Sequence, residues 1–190
     1  MEGSFEAALV EHCSPTLAGL KPANLFLYRP SGDTKAVYDA VAKWALELAP
    51  YGVAVCILKD CKCQPSFLIY VYRKAWISRI LSEQMTLSFL QMWGYRTSGG
   101  CDELLHQLAE RLCLEQEFPH EIGIFLGYPL FDVISFIEHG GRNYAFCGCW
   151  KAYSNPAGAQ KRSDQYRKCT SIYKQMFENG TSILRLIVAA

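Results

Sequence analysis

The stretch FCGCWKAY, residues 146–153, carries residue types suited to nucleophilic chemistry. As a strand it would place Cys147, Cys149 and Lys151 on one side, because successive side chains alternate across a strand. Trp150 would then lie on the opposite side. Because a nearby ammonium group favours the reactive thiolate form of a cysteine, we predict Cys147 as a catalytic thiol and Lys151 as its electrostatic partner. The alternative is that the cysteines are packing residues on a core strand.

Two Cys-x-Cys pairs, residues 61–63 and 147–149, raise the question of a metal site. Structural zinc sites usually have two to four residues between paired ligands, whereas each of these pairs has a single residue between its cysteines. We therefore predict no metal ligands. The sequence also lacks the glycine-rich phosphate loops, the Gly-x-Ser-x-Gly motif and the His-Glu-x-x-His motif.

Polar residues flank the apolar run Ile122–Leu126. Because this run is apolar on both faces and is followed by Gly127-Tyr128-Pro129, it predicts a central strand that leads into a helix. The two ends of such a strand lie roughly 15–20 Å apart. His120 before the strand and Tyr128 after it are therefore expected to serve different sites.

Two assignments for these ends stay open. Ligands of α/β proteins bind beyond the carboxyl ends of strands, which favours Tyr128, Asp132 and the start of the next helix as the ligand site. The rival site is His120, as an acid–base group, together with Glu121. A structural alternative is that His120 forms only local hydrogen bonds at the start of the strand.

A further polar cluster lies in HCSPTLAGLKPANLF, residues 12–26. His12 and Cys13 are adjacent, but neighbouring side chains on a helix point about 100° apart, so adjacency alone makes no reactive pair. Lys21 and Asn24 follow in a loop fixed by prolines, where they could hold an anionic or carbonyl group. The alternative is a helix end followed by a rigid loop.

The composition favours an ordinary folded protein. The chain has 190 residues, 51% hydrophobic residues and a formal net charge of +1, which gives no indication of nucleic-acid or membrane partners. No apolar run reaches the roughly 18 residues of a membrane helix, and the N-terminus does not resemble a signal peptide. The nine cysteines form an odd set, which fits a reducing compartment, so a cytoplasmic location is expected.

The hydrophobic pattern predicts alternating helices and strands. It indicates helices over residues 5–12, 33–49, 74–92 (one helix or two), 101–113, 129–140 and 156–177, and strands over residues 24–28, 53–58, 67–72, 122–126, 144–153 and 182–188. The second and third strands are separated by a short polar turn, which predicts an antiparallel hairpin. We predict a single α/β domain over residues 1–190, with a mixed β-sheet and helices on both faces.

Three stretches together resemble one bacterial family, catalogued as domain of unknown function 3793 and found mainly in anaerobic Gram-positive bacteria. They are residues 12–26, residues 118–133 and the pair CGCWKAY and YRKCTSIY, residues 147–153 and 166–173. Phe131 departs from the pattern, because family members have an acidic residue there. The positions that match are His12, Cys13, Lys21, Asn24, His120, Glu121, Tyr128, Asp132, Cys147, Trp150, Lys151 and Cys169.

The resemblance implies no established activity and leaves the cofactor unknown, but it selects residues. It adds Cys13 and Trp150 to the candidate ligand-binding residues. Genes of this family lie near flavodoxin or iron-uptake genes, which implies a connection to redox or iron physiology and a flavodoxin or iron-related partner.

Three functional hypotheses follow. The first is a small-molecule enzyme or redox-associated protein that uses the Cys147 thiol, Lys151 or Lys21 as a cation, and His12 or His120 as the acid–base group. The second is an accessory protein that handles iron, haem or another ligand without turnover, and the third is a protein-interaction domain. A pocket shared by His12, Lys21, His120 and Cys147 would favour the first.

Overall fold

Strands β1 (Ala23–Tyr28), β2 (Val53–Cys61) and β3 (Ser66–Arg73) form the larger sheet, in the order β1-β3-β2. The structure is a computed structural model, and it describes residues 4–30, 32–61, 65–114 and 117–189. Strands β4 (Phe146–Cys147) and β5 (Lys151–Ala152) form a second, two-stranded sheet. The helices are α1 (Phe5–Leu17), α2 (Lys35–Leu48), α3 (Lys74–Ser82), α4 (Gln84–Met92), α5 (Gly100–Leu114), α6 (Ile122–Phe125), α7 (Leu130–Glu138), α8 (Pro156–Glu178) and α9 (Ile183–Leu186), with a 3-10 turn over Ala49–Tyr51.

The α/β class and the β2–β3 hairpin are confirmed. The strand pairs in the described residues are all antiparallel. The prediction of a mixed β-sheet is therefore wrong for these residues. The chain forms two compact units: unit 1 comprises Met1–Trp76 with Lys168–Ala190, and unit 2 comprises Ile77–Arg167. A single domain over residues 1–190 stays a prediction. No helix in the described ranges is both long and apolar enough to cross a membrane.

Unit 1 is built on the three-stranded sheet. Helices α1 and α2 pack against the sheet, and alternate β3 residues Phe67, Ile69 and Val71 belong to the core that they share. The predicted helix over residues 33–49 is confirmed as α2, and its buried residues recur at helical spacing: Val37, Val41, Trp44 and Leu48.

The prediction that the first helix ends at residue 12 is wrong. Helix α1 continues through Pro15 to Leu17. Proline lacks an N–H, so one helical hydrogen bond is lost at this position. The buried guanidinium of Arg73 supports the end of the helix, because it donates to the carbonyl of Thr16 at 2.8 Å and to that of Leu17 at 2.8 Å. It also donates to the carbonyl of Val188 at 2.7 Å. Tertiary contacts therefore stabilise a helix end that local sequence disfavours.

The predicted strand over residues 182–188 is wrong. Ser182 is instead the residue before the short helix α9, and its extended backbone (φ −70°, ψ 153°) is typical of an N-cap position. After the helix, the N–H of Val188 donates to the carbonyl of Leu17 at 3.0 Å. The apolar residues Ile183 and Leu186 are buried at a spacing that a helical turn also satisfies.

In unit 2, the predicted central strand over residues 122–126 is also wrong, because its first four residues form helix α6. The helix ends in a Schellman motif. The N–H of Tyr128 donates to the carbonyl of Gly123 at 2.9 Å, and the N–H of Gly127 donates to that of Ile124 at 2.9 Å.

Gly127 has a φ of 75°, the left-handed conformation that favours glycine at this position. A short apolar run is compatible with a buried helical turn as well as with a strand, so periodicity alone does not distinguish them. The distinguishing signal is Gly127 followed by Pro129, which is typical of a helix end.

The predicted strand over residues 144–153 is a tight hairpin. Strands β4 and β5 pair Phe146 with Ala152 and Cys147 with Lys151. The N–H of Gly148 closes the turn by donating to the carbonyl of Trp150 at 3.0 Å. Cys147 and Lys151 are therefore cross-strand neighbours, and not two residues on one side of a single strand.

Candidate functional site

A cavity of about 380 Å³ lies within unit 2. Its size falls in the range of small-molecule sites, and most of its lining is apolar or aromatic. The residues that line it are Phe118, His120, Ile122, Gly123, Tyr128, Asp132, Val133, Phe136, Cys147, Gly148, Trp150 and Lys151.

Helix α6 brings His120 and Tyr128 to the same cavity. A helix rises about 1.5 Å per residue, less than half the rise of a strand, so the two ends of the segment lie much closer than expected. The prediction that His120 and Tyr128 serve different sites is therefore wrong. Its cause is the mistaken strand.

Gly123 allows α6 to lie directly against its neighbours. A Cβ atom at this position would stand 2.8 Å from the Val133 side chain and 3.2 Å from the Tyr128 ring. Such a contact would force the two elements apart, because it is shorter than van der Waals contact. The close approach of α6 and α7 forms one side of the cavity.

The β4–β5 hairpin supplies the thiol and the cation. Cys147 and Lys151 are direct partners across the hairpin, and opposite residues of an antiparallel pair have Cβ atoms about 4.5–5.5 Å apart. The buried hydroxyl of Ser163 on α8 fixes the turn by accepting from the N–H of Cys149 at 3.1 Å. A Cβ at Gly148 would collide with the Ser163 hydroxyl and the Phe146 ring, so the turn requires glycine.

An aromatic pair forms one wall. The rings of Tyr128 and Trp150 are stacked with centroids 5.4 Å apart and planes at 20°. The Tyr128 hydroxyl donates to the carbonyl of Cys149 at 3.1 Å, which joins the loop after α6 to the hairpin. Burial, with the nearby Cys149 and Tyr166, raises the pKa of Tyr128 well above its ordinary value, so the phenol stays protonated.

Asp132 holds the hairpin in place. Asp132 is 3% exposed, and its carboxylate accepts from the Trp150 indole N–H at 2.8 Å. It also accepts from the N–H of Tyr153 at 2.9 Å and from the N–H and hydroxyl of Ser154, each at 3.0 Å. Burial alone would raise the pKa of Asp132, but the hydrogen bonds from Trp150, Tyr153 and Ser154 together lower it. Asp132 is therefore an ionised anchor.

The ammonium group of Lys151 is held by one carbonyl and two rings. It donates to the carbonyl of Gly141 at 2.7 Å and lies 5.6 Å from the Phe136 ring centroid and 5.0 Å from that of Tyr144. Within the described parts of the chain, no carboxylate forms an ion pair with Lys151. The cavity therefore contains a cation that forms no ion pair with any carboxylate of the described residues.

His120 and Phe118 lie at the mouth of the cavity. The His120 ring meets Phe136 edge-on, with centroids 5.0 Å apart and planes at 67°. His120 is solvent-exposed, and Phe118 is 51% exposed. No hydrogen bond to the His120 nitrogens occurs among the described residues, so both nitrogens are accessible to solvent or to a ligand.

Glu121 lies beside His120 in sequence but does not line the cavity. It is 1% exposed, and its carboxylate forms an ion pair with Arg111 at 3.1 Å and accepts from the Tyr95 hydroxyl at 3.0 Å. This carboxylate is engaged in a buried internal network. The arrangement gives Glu121 a structural role rather than the predicted ligand contact.

The four candidates in residues 12–24 lie in unit 1, and none lines this cavity. The His12 ring stacks on Phe26 at 5.0 Å, and burial lowers the pKa of His12. Cys13 is 0% exposed within the core, where burial strongly raises the pKa of its thiol. Lys21 is buried, and Asn24 accepts from the Thr16 hydroxyl at 2.7 Å. The hypothesis of a pocket shared by His12 and Lys21 with His120 and Cys147 therefore finds no support in this cavity.

The residues that shape the cavity and that sequence reasoning missed include Phe136, Tyr144, Gly141 and Ser163. Phe136 contacts both His120 and Lys151, and Tyr144, Gly141 and Ser163 position the hairpin. Each acts through a contact distant in sequence, which no local motif indicates.

The eight described cysteines are free thiols. Cys63, half of one Cys-x-Cys pair, lies outside the described residues. Where the structure describes the chain, no group of three or more His, Cys, Asp or Glu side chains could hold a metal ion.

A protein-family model matches residues 9–187, and the family is described as "Protein of unknown function (DUF3793)". The match confirms the resemblance inferred from the three sequence stretches. No curated protein and no solved structure matches the chain significantly.

Proposed function

The chain belongs to the family described as "Protein of unknown function (DUF3793)", and from that starting point we propose that it is a thiol-dependent enzyme acting on a small organic molecule. The observation that supports this proposal is that Cys147 and Lys151 are cross-strand partners and line one cavity together with His120. A thiol, a cation and an imidazole are the three groups that nucleophilic thiol chemistry uses.

Each group has a defined role in the proposed reaction. The Cys147 sulfur forms a bond to a carbonyl carbon of the ligand, and the thiol proton passes to the His120 imidazole. The electron pair displaced onto the carbonyl oxygen is stabilised by the Lys151 ammonium. His120 then returns the proton to that oxygen, so the addition needs no oxidant.

The proposal assigns the acid–base and cationic roles that the sequence left open. His120 and Lys151 line the cavity, whereas His12 and Lys21 do not. Cys149 is two residues from Cys147 and is also exposed, but it does not line the cavity. Cys149 therefore provides a matched control for the reactivity of Cys147.

The test is alkylation by iodoacetamide, followed for each cysteine by mass spectrometry between pH 5 and 9, a span chosen to bracket neutral pH. Cys147 is expected to react at neutral pH about tenfold faster than Cys149, because Cys147 lines the cavity with Lys151 as its cross-strand partner and Cys149 does not. Lys151→Met should remove most of this advantage, and Cys149→Ser should leave it unchanged. Equal rates for the two cysteines, or an unaltered rate in Lys151→Met, would contradict the proposal.

A second candidate is a protein that binds its ligand without turnover, favoured by the predominantly apolar lining of the cavity. In that case Cys147→Ser keeps all function. For iron or haem as the ligand, protein purified without oxygen would give a haem spectrum or contain iron on metal analysis. A colourless, metal-free protein that neither haem nor ferrous iron stabilises would contradict that form of the second candidate.

A further inference from the structure

We infer that the cavity takes a flat, largely apolar molecule with one anionic group, whose ring stacks on Trp150 and whose anion binds Lys151. This inference deepens the proposed function and depends on the same cavity. It concerns recognition of the ligand, so it can be tested apart from thiol reactivity.

The cation provides the first argument. The Lys151 ammonium lies in a mainly apolar cavity without an ion-pair partner in the described parts of the chain. An ammonium has three N–H donors, and the Gly141 carbonyl takes one of them. An unpaired charge among apolar groups is unfavourable, and a ligand anion would relieve this by a charge-assisted hydrogen bond.

The indole provides the second argument. The Trp150 N–H is bound to Asp132, so the indole has no donor left for a ligand. Tyr128 covers one face of the indole, so a ligand can stack only on the opposite face. Stacking favours a flat ring over a branched aliphatic chain, and Phe136 adds a second aromatic surface to the same cavity.

Size and charge limit the ligand further. A volume of about 380 Å³ lies near the lower end of the range for small-molecule sites, which favours one or two rings. Lys151 is the one Lys or Arg among the described lining residues, and Asp132 adds a negative charge nearby. A second anionic group would therefore have no cation and would meet Asp132. A single carboxylate fits best.

The experiment compares indole-3-acetate with its neutral isostere indole-3-acetamide by isothermal titration calorimetry on the full chain. The wild type should bind the carboxylate about tenfold more tightly than the amide, the difference expected for a charge-assisted hydrogen bond. Lys151→Met should lower carboxylate affinity to that of the amide without changing amide affinity. Lys161→Met, at an exposed α8 position of the same unit, should change neither.

A measurement on the unaltered chain covers the case in which Lys151→Met does not fold. Saturating indole-3-acetate should slow alkylation of Cys147 at least fivefold, and equimolar amide should not. Equal binding of the two ligands, binding of neither, or equal protection overturns the inference.

Cys147→Ser separates the two proposals, because it should retain the carboxylate preference. If that preference is found while Cys147 alkylates no faster than Cys149, the thiol function fails and the recognition inference stands.

Discussion

The indole N–H of Trp150 donates to the carboxylate of Asp132 at 2.8 Å, and this bond joins the aromatic wall of the cavity to helix α7. The same carboxylate accepts three hydrogen bonds from Tyr153 and Ser154, directly after the hairpin. Because Cys147 and Lys151 lie on that hairpin, the geometry of the candidate site depends on a residue that need not touch the ligand. Asp132 therefore has the role of a positioning residue.

Replacing Asp132 by Asn should lower the free energy of unfolding by about 2–4 kcal/mol, because the amide nitrogen of Asn faces N–H donors and cannot accept from them. Urea denaturation followed by circular dichroism measures this change. Glu138→Gln removes an exposed carboxylate from the same helix and should change stability by less than about 0.5 kcal/mol. Equal effects of the two substitutions would contradict the anchoring role.

The lowered pKa of Asp132 also predicts a pH dependence of stability. A carboxyl group with a lowered pKa in the folded state contributes stability above its ordinary pKa of 3.8, and that contribution is lost as the pH falls through the lower folded value. Wild-type unfolding free energy should therefore fall below about pH 4 more steeply than that of Asp132→Asn. Parallel pH curves for the two proteins, measured by urea denaturation from pH 2 to 6, would show that Asp132 is not stabilised as an anion.

The sequence pattern predicted helices and strands well where the repeating apolar pattern extends over many residues. Helix α2 follows from an apolar stripe over four turns, and the β2–β3 hairpin follows from two apolar strands around a polar turn. Two of the errors fall on residues 122–126 and 182–188, where four or five apolar residues fit either a helical turn or a strand. In such short segments tertiary packing decides the conformation.

The residues of the candidate site also divide into those that local sequence indicates and those that only tertiary contacts reveal. Sequence chemistry selected His120, Cys147 and Lys151, and the structure places all three around one cavity. Sequence chemistry could not indicate Phe136 or Ser163, because each contributes through a contact with a residue more than ten positions away. Sequence chemistry also selected Cys13, because the sequence does not show whether a thiol is exposed or buried.

Gly127→Ala tests the end of helix α6. Alanine at a φ of 75° is strained, so unfolding free energy should fall by about 1–2 kcal/mol, and Gly127→Asn should lose less. Gly32→Ala is the control, because this glycine lacks a positive φ and a Cβ there meets no atom within 4 Å. If the Gly127 and Gly32 variants unfold at the same urea concentration, the left-handed helix end is not formed.

Glu121→Gln tests whether the buried carboxylate is structural. The substitution leaves Arg111 facing a neutral amide, and breaking a buried ion pair typically costs about 3–5 kcal/mol. Because the Arg111 side chain is 24% exposed, a smaller loss of about 2–3 kcal/mol is expected. Asp164→Asn breaks the exposed pair with Arg167 and should cost at most about 1 kcal/mol. A Glu121 variant with unaltered stability and weakened ligand binding would instead return Glu121 to the site.

Cys13 and Cys113 should differ sharply in reactivity. Cys13 is fully buried, and burial raises the pKa of its thiol, so both access and thiolate formation are suppressed. Cys113 is exposed on α5. At pH 8, iodoacetamide should modify Cys113 within minutes and leave Cys13 unmodified for hours, as measured by peptide mass spectrometry. In urea the two rates should converge, because unfolding removes burial. Rapid modification of Cys13 in the folded protein would mean that this thiol reaches solvent, and Cys13 would regain its standing as a ligand-binding candidate.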